Sequence, residues 1–272
     1  MIILSSVVIF LLILFSLLLF LIKPGKKRAQ MAEYQSLKYA HRGLHNGERA
    51  ENSLSAFSAA AEAGFAIELD VRLSADGELV VFHDDTLERM TNVSGRVDSK
   101  TADELSKICL GETTDTIPTF REVLELVDGR VPLLVEIKED AGKYGVTEKT
   151  VEMLRNYKGK YIIESFNPLA LSRVKKLMPE VLRGFLSQNF SKDKKYKGFT
   201  YFLLQNLLIN FMCRPDFIAF NHTDYKMKVL RLVKKMFGVP TLAWTVRTEE
   251  EELSAHTHGF SGVIFEGYIP TK

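Results

Sequence analysis

The chain has 272 residues, with 36 Lys or Arg against 34 Asp or Glu, so its formal net charge is +2. This near balance, without a basic stripe interleaved with aromatic residues, argues against a nucleic-acid-binding protein. Cys109 and Cys213 are too few and too far apart for a zinc site or a disulfide framework, and we interpret both as free thiols.

The N-terminal segment is apolar apart from three serines, and residues 2–22 carry no charge. A helix of this length, at about 1.5 Å per residue, spans roughly the thickness of a bilayer core. No basic region precedes it and no small-residue cleavage pattern follows, so residues 2–22 are predicted to be an uncleaved transmembrane helix. The basic residues at 23, 26, 27 and 28 then predict, by the positive-inside rule, that the part of the chain after the helix lies in the cytoplasm. Residues 23–37 are predicted to be a basic, polar linker.

Beyond the linker, the chain alternates short apolar strands with amphipathic helices. Strands are predicted at 38–41, 67–71, 79–82, 133–137, 161–165, 182–186, 217–220, 241–246 and 262–265. Helices are predicted at 53–63, 118–127, 146–156, 168–178 and 226–236, with a short one opened by the acidic run 249–252. Asn52 is the predicted N-cap of the first of these helices, and Gly64 ends it. The alternation implies a parallel sheet covered by helices in one domain, residues 38–272.

The nine strand candidates exceed the eight places of a closed (β/α)8 TIM barrel. Only residues 72–78 separate the second candidate from the third, whereas a parallel crossover needs about a dozen residues or more. We therefore predict that residues 79–83 belong to a small insertion above the barrel mouth, at about 72–116.

A second apolar insertion is predicted at about 187–215. Its segment 201–212 is strongly apolar but too short to span a bilayer. Two interpretations remain open for this segment: a helix packed on the barrel wall, or a lid or membrane-resting helix beside the site.

Two of the barrel strands carry charged residues on an inward face. Glu68 and Asp70 are two residues apart on a strand, so their side chains share a face, and Glu136 with Lys138 repeats the pattern on another strand. Buried acids need a cation or ionic partners. Three carboxylates suit Ca²⁺ or Mg²⁺ rather than zinc. The alternative is a buried salt-bridge network of these four residues with Arg72.

Two histidines are directed to the same end of the barrel. His41 ends the first strand, where barrel active sites form, and His83 ends the excursion over that face. Two histidines can act as general base and general acid near neutral pH. Arg42 can bind phosphate as a fork, or else form a salt bridge to Glu51.

Together these segments resemble the glycerophosphodiester phosphodiesterase family over about residues 39–269. The matching motifs are His41-Arg42-Gly43, Glu51-Asn52-Ser53, Glu68-Leu69-Asp70-Val71, Asp76-Gly77, Val80-Val81-Phe82-His83-Asp84, Ile117-Pro118-Thr119, Val135-Glu136-Ile137-Lys138, Phe166 and Trp244. The resemblance implies a (β/α)8 barrel that hydrolyses phosphodiesters of glycerol.

The resemblance also implies a role for each matching residue. Glu68, Asp70 and Glu136 would bind one divalent cation, and His41 and His83 would be the acid/base pair. Arg42 and Lys138 would hold the phosphate charge, while Phe166 and Trp244 would line the glycerol side.

The sequence departs from the family pattern at two places. Ala50 and Ser53 flank the Glu-Asn pair where the family usually has Pro and Thr. The last strand ends in Phe265-Glu266, where the family usually has a Thr-Asp pair, and this bears on the floor of the pocket.

The predicted function is metal-dependent hydrolysis of a glycerophosphodiester to a glycerol phosphate and an alcohol, by an enzyme anchored in the cell membrane. One alternative is the same chemistry on a lysophospholipid or a glycerophosphate polymer at the membrane. Another is a membrane-tethered binding module that has lost catalysis.

Overall fold

The computed structural model describes residues 2–139 and 145–271. It begins with helix α1 (Ile2–Ile22), whose residues 4–17 are all exposed and whose last turn alone packs against the rest of the protein. By length and composition, the segment Leu4–Ile22 is able to cross a membrane. A 3-10 helix follows at Lys27–Glu33, within the segment predicted to be a linker.

Eight parallel strands form a closed barrel in the described part of the chain. They are β1 (Lys38–His41), β2 (Ala66–Leu73), β4 (Leu133–Ile137), β5 (Tyr161–Ser165), β6 (Arg183–Ser187), β7 (Phe217–Asn221), β8 (Thr241–Val246) and β9 (Gly262–Phe265). Neighbours pair in this order, and β1 pairs with both β2 and β9, which closes the ring. The predicted TIM barrel is confirmed.

The ninth strand, β3 (Leu79–Val81), lies antiparallel on β2, with Val81 opposite Val71. The short Asp76-Gly77 connection is therefore a hairpin turn and not a crossover, as predicted. The insertion packs its own small apolar core, which includes Val80, Phe82 and Leu105. This core supports the chain as it leads to His83 at the mouth.

The remaining helices connect the strands and cover the barrel. They are α2 (Leu54–Ala63), α3 (Ala102–Leu105), α4 (Phe120–Val127), α5 (Val146–Arg155), α6 (Pro168–Leu177), α7 (Phe199–Gln205), α8 (Asn210–Cys213), α9 (Lys228–Phe237) and α10 (Glu249–Thr257). Two predicted helix starts, at 118 and 226, are two residues early. At the first of these, Thr119 caps α4 through a reciprocal pair of hydrogen bonds with Glu122.

Asn52 is not the N-cap of α2, so this prediction is wrong. Ser53 is the cap, and its hydroxyl accepts a hydrogen bond from the Ala56 N–H at 3.2 Å. Asn52 has a left-handed backbone (φ 57°), and its side chain turns towards the barrel instead.

The barrel has separate inner and outer apolar layers. Alternate strand residues such as Leu69 and Val135 pack outward under the helices. Tyr39, Leu134 and Phe217 belong to the inner layer, which fills the lower interior. The 3-10 helix adds the fully buried Met31 to this inner layer. The inward-facing acids Glu68, Asp70 and Glu136 lie above this layer, at the upper end of the barrel where the strands end.

The second insertion contains two short helices rather than one. Helix α8 packs against α6 on the barrel wall and against the end of α1, whereas α7 buries none of its residues. The segment therefore combines a wall contact with an exposed helix beside the mouth.

Candidate active site

A cluster of three buried carboxylates lies at the upper end of β2 and β4. Each of Glu68, Asp70 and Glu136 offers an oxygen, and these three oxygens lie within 4.8 Å of one another. The register of the sheet brings them together, because Asp70 lies directly opposite Glu136 on the neighbouring strand. Carboxylates at this spacing could share one oxygen-ligated cation.

Two basic residues contact this carboxylate cluster. Lys138 Nζ is 3.1 Å from Asp70 Oδ1 and 2.7 Å from Glu136 Oε1, and Arg42 Nε is 3.4 Å from Asp70 Oδ2. The backbone N–H of Arg42 donates to Glu68 Oε2 at 3.0 Å. Much of the anticipated salt-bridge network therefore exists. Arg72 is directed elsewhere, since its Nε donates to the His83 carbonyl at 2.9 Å.

The ion pairs do not balance the buried negative charge. Burial, with Asp70 and Glu136 nearby, raises the pKa of Glu68 well above its ordinary value, and burial also raises the pKa of Glu136. Burial opposes the ionisation of Asp70 too, but Lys138, His83 and Arg42 bring its pKa well below the ordinary value. A divalent cation would supply the missing positive charge, so the donor set fits Ca²⁺ or Mg²⁺.

A fourth buried acid, Glu164, was missed by the sequence reasoning. It is 1% exposed on β5, opposite Glu136, and its Oε2 has no hydrogen-bond partner among the described residues. Burial and the charge of Glu136 raise its pKa well above the ordinary value, which favours the protonated acid. Its position two residues after the inward-facing Ile162 is the sequence signal that could have identified it.

His41 is held by a carboxylate that we did not assign to the site. Its Nδ1 lies 2.6 Å from Glu266 Oε2. An ionised carboxylate only accepts hydrogen bonds, so Nδ1 carries the proton and Nε2 is free to accept one. Burial lowers the pKa of His41 to about 4 despite this bond. Glu266 stands at the departure from the family's Thr-Asp pair.

His83 has the same arrangement on the other side of the mouth. Its Nδ1 lies 2.8 Å from Asp84 Oδ1, and Arg89 Nε donates to the other oxygen of Asp84. Burial raises the pKa of Asp84, but these hydrogen bonds bring it below its ordinary value. His83 is therefore oriented by an ionised carboxylate at Nδ1, and its Nε2 could donate or accept a proton at the mouth.

An ionic chain connects the two histidine-bearing segments. Arg89 Nη2 donates to Glu51 at 2.6 Å, and Arg42 Nη1 donates to the same carboxylate at 2.8 Å. The salt bridge that we considered for Arg42 is therefore present, alongside its contact with Asp70. The chain runs from the insertion to the residue that follows His41.

Phe166 and Trp244 form an aromatic side to the mouth. Their ring centroids are 5.6 Å apart in an edge-on arrangement, and Lys138 Nζ is 5.9 Å from the Phe166 ring. An apolar part of a ligand could pack here beside the basic groups.

Asn52 positions one of the acids. Its Nδ2 donates to Asp70 Oδ2 at 2.8 Å, and the left-handed backbone of Asn52 directs the side chain there. Asn tolerates this conformation better than most residues. The structure thus brings together the nine residues to which the sequence analysis gave a role in the site, and places Asn52, Asp84, Glu164 and Glu266 around them.

Known proteins share this sequence pattern and this fold. The model of the glycerophosphoryl diester phosphodiesterase family matches residues 41–267. A glycerophosphodiester phosphodiesterase of Caldanaerobacter subterraneus is 40% identical over 165 residues, which are 57% of this chain and 68% of that protein.

Two solved structures have the same fold. An Oleispira antarctica phosphodiesterase in complex with its product sn-glycerol-3-phosphate superposes with a TM-score of 0.71 at 26% identity, covering 86% of this chain and 94% of the other. A glycerophosphodiester phosphodiesterase of Thermotoga maritima gives 0.65 at 26% identity, covering 85% and 95%.

Proposed function

The chain belongs to the glycerophosphoryl diester phosphodiesterase family, and on this premise we propose that its barrel mouth hydrolyses glycerophosphodiesters with two histidines and one divalent cation. The products are a glycerol phosphate and an alcohol. The observation that carries the proposal is the placement of His41 and His83 at the mouth that holds the Glu68, Asp70 and Glu136 cluster.

Glu68, Asp70 and Glu136 would hold the cation, because their oxygens are close together and under-compensated in charge. Bound Ca²⁺ or Mg²⁺ would supply electrostatic stabilisation for the phosphodiester and the charge that develops on it. Arg42 and Lys138 add positive charge at the same place.

The histidines would move the protons. Each has Nδ1 hydrogen-bonded to a carboxylate, which orients the ring and leaves Nε2 to exchange a proton with the substrate or water. One accepts the proton of the attacking water, and the other donates a proton to the leaving alcohol. Phe166 and Trp244 would pack against the glycerol part of the substrate.

Alanine substitutions of the two histidines test this assignment. His41→Ala and His83→Ala are each expected to lower kcat on glycerophosphocholine by at least about 10²-fold. His258→Ala, at an exposed position after α10, is the control and should retain activity. Circular dichroism would establish that the variants are folded. Undiminished turnover in either site variant would remove that histidine from the mechanism.

A second candidate function uses the same site on a membrane lipid, and the apolar groove described below favours it. A binding module without catalysis is the remaining alternative. An assay of the wild-type protein with Ca²⁺ or Mg²⁺ distinguishes an enzyme from a binding module. Because the acids and histidines are all present, we expect the wild type to release alcohol from a glycerophosphodiester.

We also propose that α1 anchors the protein in the cell membrane with the barrel in the cytoplasm. The uncharged helix is followed by a basic cluster on the barrel side, and the positive-inside rule therefore favours a cytoplasmic barrel. Two reporters fused after Lys272 test the orientation: one that is active only in the cytoplasm and one that is active only after export. The first should be active. Activity of the second alone would show that the barrel lies outside.

A further inference from the structure

An apolar groove of about 550 Å³ extends from the candidate active site. Glu136, Lys138 and Phe166 line its inner end. Its outer part lies between the start of α6, with Leu169, and the second insertion. The insertion contributes Tyr201, Leu204, Ile209 and Met212.

The groove combines a charged end with an apolar body. Lys138 at its inner end faces both the carboxylate cluster and the Phe166 ring. A ligand that fits would have an anionic group near Lys138 and an apolar extension of substantial length. Glycerol and the small alcohols of soluble phosphodiesters have no part that would occupy the apolar section.

The outer wall of the groove is also the segment that holds the end of α1. Arg214 Nη1 donates to the carbonyls of Phe20 at 2.8 Å and Lys23 at 2.9 Å, and Asn210 Nδ2 donates to the Ile22 carbonyl at 3.1 Å. These contacts satisfy carbonyls that a helix end leaves unpaired. Three hydrogen bonds therefore join the insertion to the end of the apolar helix.

The exposed surface of the same insertion is suited to a membrane surface. Phe199 and Phe202 of α7 are 73% and 50% exposed and stack on each other at 6.1 Å. Exposed lysines at 194, 195 and 197 precede them. Apolar rings beside basic residues are the combination that interfacial helices use with anionic lipids. The groove wall thus has one face towards the site and another suited to lipid.

We propose that this groove binds the single acyl chain of a lysophospholipid whose glycerophosphodiester lies at the barrel mouth. The inference rests on the proposed function and names its substrate class. A methylene group is similar in size to a water molecule, roughly 30 Å³, so a groove of about 550 Å³ has room for a long acyl chain. Water adds to phosphorus, the bond from phosphorus to the head-group oxygen breaks, and that oxygen leaves as the protonated alcohol, which yields an acylglycerol phosphate.

Activity on two substrates tests the proposal, with the full chain in lipid nanodiscs. Leu169→Asp introduces a charge into the groove at an exposed position, and Thr200→Phe fills it from another exposed position. Leu177→Asp, at an exposed leucine at the other end of α6, is the matched control.

The two groove variants are expected to lower kcat/KM for palmitoyl lysophosphatidylcholine at least about tenfold, because a charge or a ring displaces buried methylenes. Turnover of glycerophosphocholine should stay within about threefold, and the control should change neither. A parallel fall on both substrates, or no effect on the lysolipid, would overturn the proposal.

Binding provides a readout that does not depend on turnover. Trp244 is the single tryptophan of the chain and contacts Phe166 at the inner end of the groove. Dodecylphosphocholine, which has no glycerol, should change its fluorescence saturably in the wild type and in Leu177→Asp. The half-saturating concentration should rise at least about tenfold in Leu169→Asp, and equal titrations would overturn the groove assignment. If the wild type hydrolyses neither substrate, the proposed function fails, while this titration still decides whether the groove holds a chain.

Discussion

Glu266 orients one of the two candidate catalytic histidines, although it stands where the chain departs from the family pattern. It lies 2.6 Å from His41 Nδ1, and Arg247 Nη2 lies 3.4 Å from the same oxygen. The hydrogen bond from His41 outweighs burial and lowers the pKa of Glu266 to about 2, so the carboxylate is ionised at neutral pH. Glu266, which has a longer side chain than the Asp usual in the family, thus accepts the hydrogen bond from His41 Nδ1.

Glu266→Gln is expected to lower kcat at least about tenfold with a smaller change in KM, since the amide can also donate and no longer enforces one tautomer. Glu266 raises the pKa of His41, so its removal should move any acidic limb due to His41 to lower pH. The measurement is a pH profile of kcat/KM. Glu249→Gln, at an exposed position on α10, is the control. An unchanged kcat in Glu266→Gln would show that His41 needs no partner.

Glu164 and Glu136 are matched buried acids with different expected roles. Cation binding to the folded state adds about 2.7 kcal/mol to the free energy of unfolding when the cation concentration is 100 times its Kd. The unfolding temperature rises accordingly. Ca²⁺ or Mg²⁺ should therefore stabilise the wild type and Glu164→Gln, in which a neutral amide replaces an acid whose raised pKa favours the protonated form. The effect should be absent in Glu136→Gln. Thermal unfolding with and without chelator measures it, and equal stabilisation of all three proteins would remove Glu136 from the ligand set.

At the scale of elements, the segment between α1 and the barrel has a structural role beyond a linker. Met31 is fully buried in the inner apolar layer, and Gly25 N donates to the Pro215 carbonyl at 2.7 Å. Gly25 approaches Asp216 so closely that a Cβ would lie 2.3 Å from its carboxylate oxygen. The segment therefore closes the lower end of the barrel while the acids occupy the upper end.

Met31→Ala should lower the free energy of unfolding by about 2 to 5 kcal/mol, because it removes a buried side chain and leaves a cavity. Gln30→Ala, at the exposed neighbouring position, should change it by no more than about 0.5 kcal/mol. Chemical denaturation of the two variants measures the difference. Equal stabilities would mean that the 3-10 helix does not contribute to the barrel core.

The first insertion shows how an element outside the barrel can complete a site. A hairpin turns β3 back along β2, and the small core of the insertion fixes the chain before His83. Arg89 then links Asp84 to Glu51, which also binds Arg42 on the barrel. Because the links are ionic and partly buried, they set the position of the insertion more than they add to stability.

At the scale of the whole molecule, three parts meet at the second insertion. It contacts the barrel wall through α8, the end of α1 through Arg214 and Asn210, and the mouth through the groove. These contacts connect the end of the apolar helix to the side of the barrel mouth, which is the arrangement that the proposed lysophospholipid substrate would need. Helix α8 packs on the barrel wall, as the first interpretation of the segment predicted, whereas α7 lies exposed beside the mouth and its role as a lid or membrane-resting helix stays a prediction.

The sequence by itself determined the barrel, because strand and helix periodicities are local and the seven-residue gap before β3 excludes a parallel crossover. It also identified Glu68, Asp70 and Glu136, since alternation along a strand places charged residues on one face. Only the tertiary structure paired His41 with Glu266, buried Glu164 beside the cluster and placed Met31 under the barrel. These contacts join residues far apart in the chain, and local periodicity carries no information about which distant side chains will meet.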